Sequence, residues 1–274
     1  SDMVEQRNNS GRPVVEIGGD AEYHHKAVPA ARTDGLKAWV SLMYGCDNFC
    51  TYCVVPYLRG RERSRPPRDI VDEVRGLADR GYREVTFLGQ NVNSYGKGLE
   101  TACSFPELLG LVQEVGGIER IRFVTSHPRD LSDGLISAMR DLPKVCESLH
   151  LPVQSGSDRV LALMNRRYTS DEYRGKVLRL RDSVPAVSLT TDIIVGFPGE
   201  GEEDFAKTLQ ILQDVQFDTI FAFKYSKRPN TKALDLPGHV PEQVKEDRLE
   251  GVFSLQKDIT LLKNRLHVGT VREV

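Results

Sequence analysis

The chain has 274 residues, with 37 Lys and Arg against 39 Asp and Glu, for a formal charge of −2. At 39 % hydrophobic and 28 % charged it is too apolar for a disordered chain, and no apolar run approaches the about 18 residues that span a membrane. The near-zero charge excludes a global pull toward nucleic acid but not a local basic patch, and Ser1-Asp2-Met3-Val4-Glu5 shows no signal peptide, so a soluble, cytoplasmic protein is expected.

Residues 1–35 are polar and rich in Gly and Pro, and read as a linker or the tail of a preceding domain. From Leu36 the pattern changes. Leu36 to Met43 reads as a strand, followed by a long loop to about Pro67. Ile70, Val71, Val74, Leu77 and Ala78 recur at helical spacing, and Gly81 stops that helix. Glu84–Leu88 is a strand, Phe105–Val115 a helix, Arg120–Thr125 a strand and Leu131–Leu142 a helix. Leu149–Val153 is a strand, and two helices follow over Asp158–Met164 and Ser170–Asp182. Thr169 and Glu172 are placed as a capping box for the second. Val187–Val195 is an apolar strand, Phe205, Leu209, Leu212 and Val215 mark a helix, and Thr219–Tyr225 is a sixth strand. Val252, Leu255, Ile259, Leu262 and Leu266 stripe a last long helix. Strands alternating with helices imply an α/β fold with parallel strands and right-handed crossovers, here an open, partial (β/α)6 barrel over residues 36–240. A C-terminal helix over 241–266 follows, and 267–274 reads as the cut start of another domain. Sites in such folds lie at the C-terminal ends of the strands.

Five cysteines are too few and too uneven for a disulfide scaffold, but Cys46, Cys50 and Cys53 fall within eight residues as C-x3-C-x2-C, directly after the first strand. Thiolates suit an iron–sulfur cluster, copper(I) or zinc. A [4Fe–4S] cubane has four irons, so three cysteines leave one iron open for a ligand, as a catalytic centre requires. Zinc would need a fourth ligand from Cys103, Cys146, His127 or His150, all remote in sequence. Cys103 and Cys146 otherwise read as small semi-buried residues.

Other strand ends carry polar groups. Leu88-Gly89-Gln90-Asn91-Val92-Asn93 offers a close backbone approach and amides, or a plain turn. In Leu151-Pro152-Val153-Gln154-Ser155-Gly156-Ser157, Gln154 and Ser155 are ligand candidates and Ser157 a helix cap. Arg166 has the fork that suits a carboxylate, or is a surface charge. Asp192, inside an apolar strand, is a paired core carboxylate or a site residue.

The cysteine spacing after the first strand of a βα series resembles the radical S-adenosylmethionine (SAM) enzymes. That resemblance implies that the amino and carboxylate groups of SAM chelate the open iron, and that an electron from the cluster cleaves the sulfonium to a 5′-deoxyadenosyl radical. It makes Cys46, Cys50 and Cys53 the catalytic cluster ligands and sets Tyr52 beside the adenine. Gly89 and Gln90 would hold the SAM amino group, and Arg166 the carboxylate. The segment Thr191-Asp192-Ile193-Ile194-Val195-Gly196-Phe197-Pro198-Gly199-Glu200 resembles a G-x-I-x-G-x-x-E stretch whose strand edge meets adenine, with Asp192 and Val195 as contacts. Thr191 departs from its first glycine.

Gly45 to Gly60 with Ser64-Arg65-Pro66, Leu88 to Asn93, Thr125-Ser126-His127-Pro128, His150 to Ser157 and Ile194 to Glu200 together are similar to the methylthiotransferases of this superfamily, of the tRNA-modifying MiaB type, over roughly residues 36–274. The resemblance implies insertion of a 2-methylthio group into N6-isopentenyladenosine of tRNA, next to the anticodon. Its implied partners are tRNA and an electron donor such as a flavodoxin or ferredoxin, with the protein a monomer. The alternatives are a RimO-type enzyme acting on a ribosomal-protein aspartate and, from another class, a non-catalytic zinc module. The family's second, auxiliary cluster needs three upstream cysteines, and none precedes Cys46. Its C-terminal RNA-binding TRAM domain would begin near His267, so the chain resembles an excised catalytic core. Lys227 and Asn230 replace the family's more usual Pro and Gly. Arg59, Arg61, Arg63, Arg65 and Arg68, with Glu62 the one acid among them, would contact tRNA phosphates, or form a solvated loop with local bonds.

Overall fold

A computed structural model describes residues 35–271. The linker expected over 1–35 lies outside the described residues except for Gly35, as do the last three residues of the expected cut strand. The preceding residues 266–269 form a turn.

In chain order the elements are β1 (Lys37–Ser41), β2 (Met43–Tyr44), α1 (Val55–Leu58), β3 (Arg63–Ser64), α2 (Pro67–Asp79), β4 (Glu84–Leu88), α3 (Phe105–Gln113), β5 (Arg120–Phe123), α4 (Asp133–Asp141), β6 (Ser148–His150), α5 (Asp158–Leu163), α6 (Ser170–Ser183), β7 (Ser188–Val195), α7 (Glu202–Val215), β8 (Thr219–Lys224) and α8 (Glu242–Arg265). Two three-stranded parallel sheets, β1-β4-β5 and β6-β7-β8, meet where Val145 bridges Ile121. Among the described residues no pairing joins β1 to β8. The expected six-stranded parallel arc is therefore present and open.

Local signals explain the helices. Pro66 and Pro67 start α2, its apolar side Ile70, Val71, Val74 and Leu77 is buried, and Gly81 (φ +90°) follows its cap. Thr169 and Glu172 form the expected capping box on α6. Burial along β7 alternates strictly, so Thr190, Asp192 and Ile194 face the concave side while Leu189, Thr191, Ile193 and Val195 face the helices.

Three expectations need correction. The first strand ends at Ser41, and Met43–Tyr44 turns away to pair antiparallel with Arg63–Ser64, closing the neck of the cysteine loop. The strand expected over Leu149–Val153 starts and ends earlier, because Pro152 has no N–H for the ladder. The Thr191 hydroxyl takes the Val153 N–H instead (2.9 Å), which gives the departure from glycine at 191 a function. The stripe on α8 is buried only to Ile259, and Leu262 and Leu266 are exposed because the helix outruns the surface it packs on.

A buried polar knot ties α5 to α7. Ser157 caps α5 and donates to Asp204 Oδ1 (2.5 Å), and Arg159 and the Gly201 N–H donate to the same carboxylate. Burial opposes ionisation of Asp204, yet these hydrogen bonds lower its pKa to about 2. Asp204→Asn is expected to cost about 1–3 kcal/mol at neutral pH. A depressed carboxyl pKa contributes stability that is present above about pH 4 and lost as pH falls toward 2. Urea melts of both proteins should therefore differ most at pH 7, draw together below about pH 4 and converge only at or below about pH 2. A difference independent of pH would overturn the assignment.

Candidate active site at the strand C-termini

The cysteine loop is closed at its neck and docked at its far side. At Gly45 (φ +74°) an added Cβ would lie 2.1 Å from the Arg61 carbonyl, so only glycine fits. The Cys46 N–H donates to Gly60 O (3.3 Å), and Asp47 accepts the Arg61 guanidinium (2.7 Å) and the Glu62 N–H (3.1 Å). On the far side, Thr51 donates its N–H to Met164 O (3.1 Å) and its hydroxyl to Leu163 O (2.8 Å), while the Asn165 amide donates to Phe49 O (2.9 Å). The loop is thus held by the C-terminal end of α5, more than 100 residues away in sequence.

Cys46 and Cys50 are buried and Cys53 is half-buried. Burial pushes the Cys46 and Cys53 thiols up; Cys50 and Cys53 add to the rise at Cys46, and Cys50 adds to it at Cys53. A positive centre bound there would favour the thiolate form of these two cysteines. Among the described residues no three His, Cys, Asp or Glu side chains converge as a single bound ion requires.

Arg166 is not a surface charge. It is 5 % exposed, with Nη1 3.5 Å from Cys50 Sγ and 3.4 Å from the Tyr52 hydroxyl, Nη2 donating to Pro152 O (2.9 Å) and Nε to the Tyr168 hydroxyl (3.1 Å). Tyr52 packs edge-on to Phe197 and lines an open cavity of about 750 Å³ with Ile194, Tyr225 and Lys245. Burial pushes its phenol pKa up. Gly89 follows β4, and an added Cβ there would meet the Met43 side chain at 2.6 Å, so any larger residue must push Met43 aside. Gln154 adopts φ +70°, uncommon for a residue with a side chain, and its buried Oε1 has no partner among the described residues.

The structure separates some expected contacts from the site. Ser155 is fully buried, its hydroxyl bonded to Thr208 and to the Ser157 N–H, so it serves the α7 packing. Val195 points into the helix-side core, and by the period of two it is Ile194 that faces Tyr52. Asp192 lies on the concave face, 3.4 Å from His150 Nε2, while His150 Nδ1 lies 2.9 Å from the Thr190 hydroxyl. Asp192 is thus paired, and it also lines a cavity of about 610 Å³ with Trp39, Arg122 and Phe221. Of the basic loop, Arg59, Arg61 and Arg63 are exposed, with Arg61 paired to Asp47 and over the Phe49 ring. Arg65 is buried, donating to Ser41 O (2.6 Å) and paired with Glu73 (2.9 Å), so it braces the neck and does not face solvent. Asn230 adopts φ +62°, a conformation Asn tolerates in place of the family's glycine.

Residue-level reasoning reached the end of β4 through Gly89 and Gln90, but it assigned no role to the residues at the end of β5. Asn91 donates to Asp130 (2.6 Å), and Arg129 donates to Asn48 of the cysteine loop (2.7 Å). Gln90, Asn91, Asn93, Ser126 and His127 each carry a buried polar atom with no partner among the described residues, as does Gln154 across the arc. Buried polar groups are normally satisfied, so this concentration at adjoining strand ends marks a seat for a polar ligand. Their position just past apolar strands was the signal available.

Residues 40–212 match the Radical SAM superfamily. The chain is 52 % identical over 263 residues to the tRNA-2-methylthio-N(6)-dimethylallyladenosine synthase of Caldicellulosiruptor saccharolyticus, covering 96 % of this chain and 56 % of that protein. It is 56 % identical over 247 residues to the like-named protein of Acetivibrio thermocellus, covering 90 % of this chain and 52 % of that one. The chain thus spans little more than half the length of these relatives. Among solved structures, Escherichia coli coproporphyrinogen III oxidase superposes with a TM-score of 0.61 at 17 % identity, over 82 % of this chain and 53 % of that one, a likeness of fold alone. The superfamily implies a [4Fe–4S] cluster and SAM. The thiol triad and the unmet polar atoms around it suit such a pair. An open parallel arc, three cysteines on a loop docked at its mouth and the match over residues 40–212 agree: this chain belongs to the radical SAM superfamily.

Proposed function

We propose that the chain is the radical SAM core of a tRNA methylthiotransferase that places a 2-methylthio group on N6-isopentenyladenosine beside the anticodon. The observation that carries this reading is identity above one half, over nine-tenths or more of the chain, to relatives bearing that enzyme's name. They support the tRNA enzyme over the ribosomal-protein alternative.

When bound, the cluster and SAM supply an electron and radical chemistry at the adenosyl carbon. Cys46, Cys50 and Cys53 would hold the cluster as its protein ligands. Arg166, fixed by Pro152 O and Tyr168, presents its Nη1 edge for the SAM carboxylate, and Gln90 and Gln154 offer amides to SAM's polar groups. Tyr52 and Ile194 flank the adenine. The lumen below, with the Trp39 and Phe221 rings and the His150–Asp192 pair, receives the target base. Exposed Arg59, Arg61 and Arg63 meet tRNA phosphates. The working protein is a cytoplasmic monomer served by a flavodoxin or ferredoxin. No helix among the described residues is long and apolar enough to cross a membrane.

All three clustered cysteines are used by one cluster, and Cys103 and Cys146 alone cannot hold the auxiliary one. Reconstituted anaerobically and given reductant, SAM and isopentenylated tRNA, the 274-residue chain is expected to form 5′-deoxyadenosine and no methylthiolated nucleoside. Nucleoside analysis of the digested RNA decides. No SAM cleavage would overturn the radical reading, and methylthiolated product would overturn the need for a second cluster.

A further inference from the structure

We propose that His127 is a positioning residue whose Nε2–H donates a hydrogen bond to an anionic acceptor bound beside Arg166, either a sulfide of the cluster or the carboxylate of SAM. The proposal rests on the cluster-and-SAM reading above.

The ring's tautomer is set by its own turn. His127 precedes the turn Pro128–Asp130, and its Nδ1 accepts the Arg129 N–H (3.2 Å). An accepting Nδ1 carries no proton, so a neutral ring carries it on Nε2. Burial first, then the charges of Arg166, Arg129, Lys176 and Lys97, lower the pKa to about 2, so the ring is neutral at working pH. His127 is 4 % exposed and its Nε2 has no partner among the described residues.

The surroundings say what is wanted there. The ring stands edge-on to Tyr168 at 5.7 Å, the Tyr168 hydroxyl accepts from Arg166 Nε, and Arg166 Nη1 lies 3.5 Å from Cys50 Sγ. His127 is thus two side chains from a cluster thiol. The neighbouring Ser126 Oγ and the Gln154 Oε1 are also buried without a partner among the described residues, so several polar groups at these strand ends have a hydrogen bond left to make. Arg166, held between Tyr168 and the Cys50 thiol, draws an anion to this end of the arc, and a buried neutral donor beside Tyr168 suits the same anion. Hydrogen bonds to cluster sulfur raise its reduction potential, and those to a bound carboxylate raise ligand affinity, so the two acceptors give different signatures.

The test uses His127→Leu and His127→Gln in the full chain, reconstituted anaerobically. One readout is the cluster's midpoint potential without SAM, by titration followed with electron paramagnetic resonance. The other is SAM affinity by equilibrium dialysis. If the acceptor is sulfide, the Leu variant titrates at a more negative potential. If it is the SAM carboxylate, the Leu variant keeps its potential and loses about tenfold in affinity. In either case the Gln amide, whose N–H stands near the place of Nε2–H, restores most of the change. The proposal is overturned if the Leu variant matches wild type in both readouts, or if Gln behaves like Leu. Should the Leu variant load no cluster, nitrogen-15 spectra of the wild-type ring decide: the Nε2–H tautomer supports the proposal and the Nδ1–H tautomer overturns it.

Discussion

Alanine at Cys46, Cys50 or Cys53 is expected to abolish both the brown cluster chromophore and SAM cleavage, whereas alanine at Cys103 or Cys146 should leave both. The difference follows from position. The triad lies on one docked loop, with Cys50 beside Arg166. Cys103 lies just before the cap of α3, where its thiol contacts Ser104 O (3.7 Å), and Cys146 belongs to the segment that bridges β5. Losing one of three thiolates leaves two irons without protein ligands, so the loss should be near complete. Iron and sulfide content, visible absorbance and 5′-deoxyadenosine yield measure it. Retention of the cluster by Cys50→Ala with loss in Cys103→Ala would refute the ligand assignment.

Arg166→Ala should weaken SAM binding by about 1–3 kcal/mol, roughly a factor of 5 to 150, as the loss of a charge-assisted hydrogen bond predicts. Arg167→Ala is the internal control, because Arg167 is exposed with its Nε directed to Asn165 (3.3 Å). The alanine variant also strips Pro152 O and the Tyr168 hydroxyl of a donor, so its melting temperature should fall. Arg166→Lys keeps a positive charge but not the fork, and should recover part of the affinity. Calorimetric titration of the reconstituted proteins with SAM separates these cases. Wild-type affinity in Arg166→Ala would leave this buried arginine a purely structural tie between α5 and the cysteine loop.

What was legible in the chain was what neighbouring residues decide. The helix over Pro67–Asp79 and its stop at Gly81, the Thr169–Glu172 box and the alternation of strands with helices depend on contacts a few residues apart, so periodicity and capping chemistry suffice to read them. The spacing of Cys46, Cys50 and Cys53 is likewise a property of one loop. The short α1 and the β2–β3 pair inside that loop were missed, because two-residue strands carry no period to read. The composition of the site was decided only in three dimensions. Arg65 and Arg61 look alike in a basic run, yet one is buried against Ser41 and Glu73 and the other faces solvent. Val195 and Ile194 are equally apolar, and the pleat alone turns Ile194 toward Tyr52. Arg166 meets Cys50 across a separation of 116 residues, because the end of α5 and the cysteine loop converge at the mouth of the arc. Local sequence sets backbone conformation through short-range sterics and hydrogen bonds. Which side chains lose their water, and therefore which must find a partner or a ligand, is settled only when distant segments pack together.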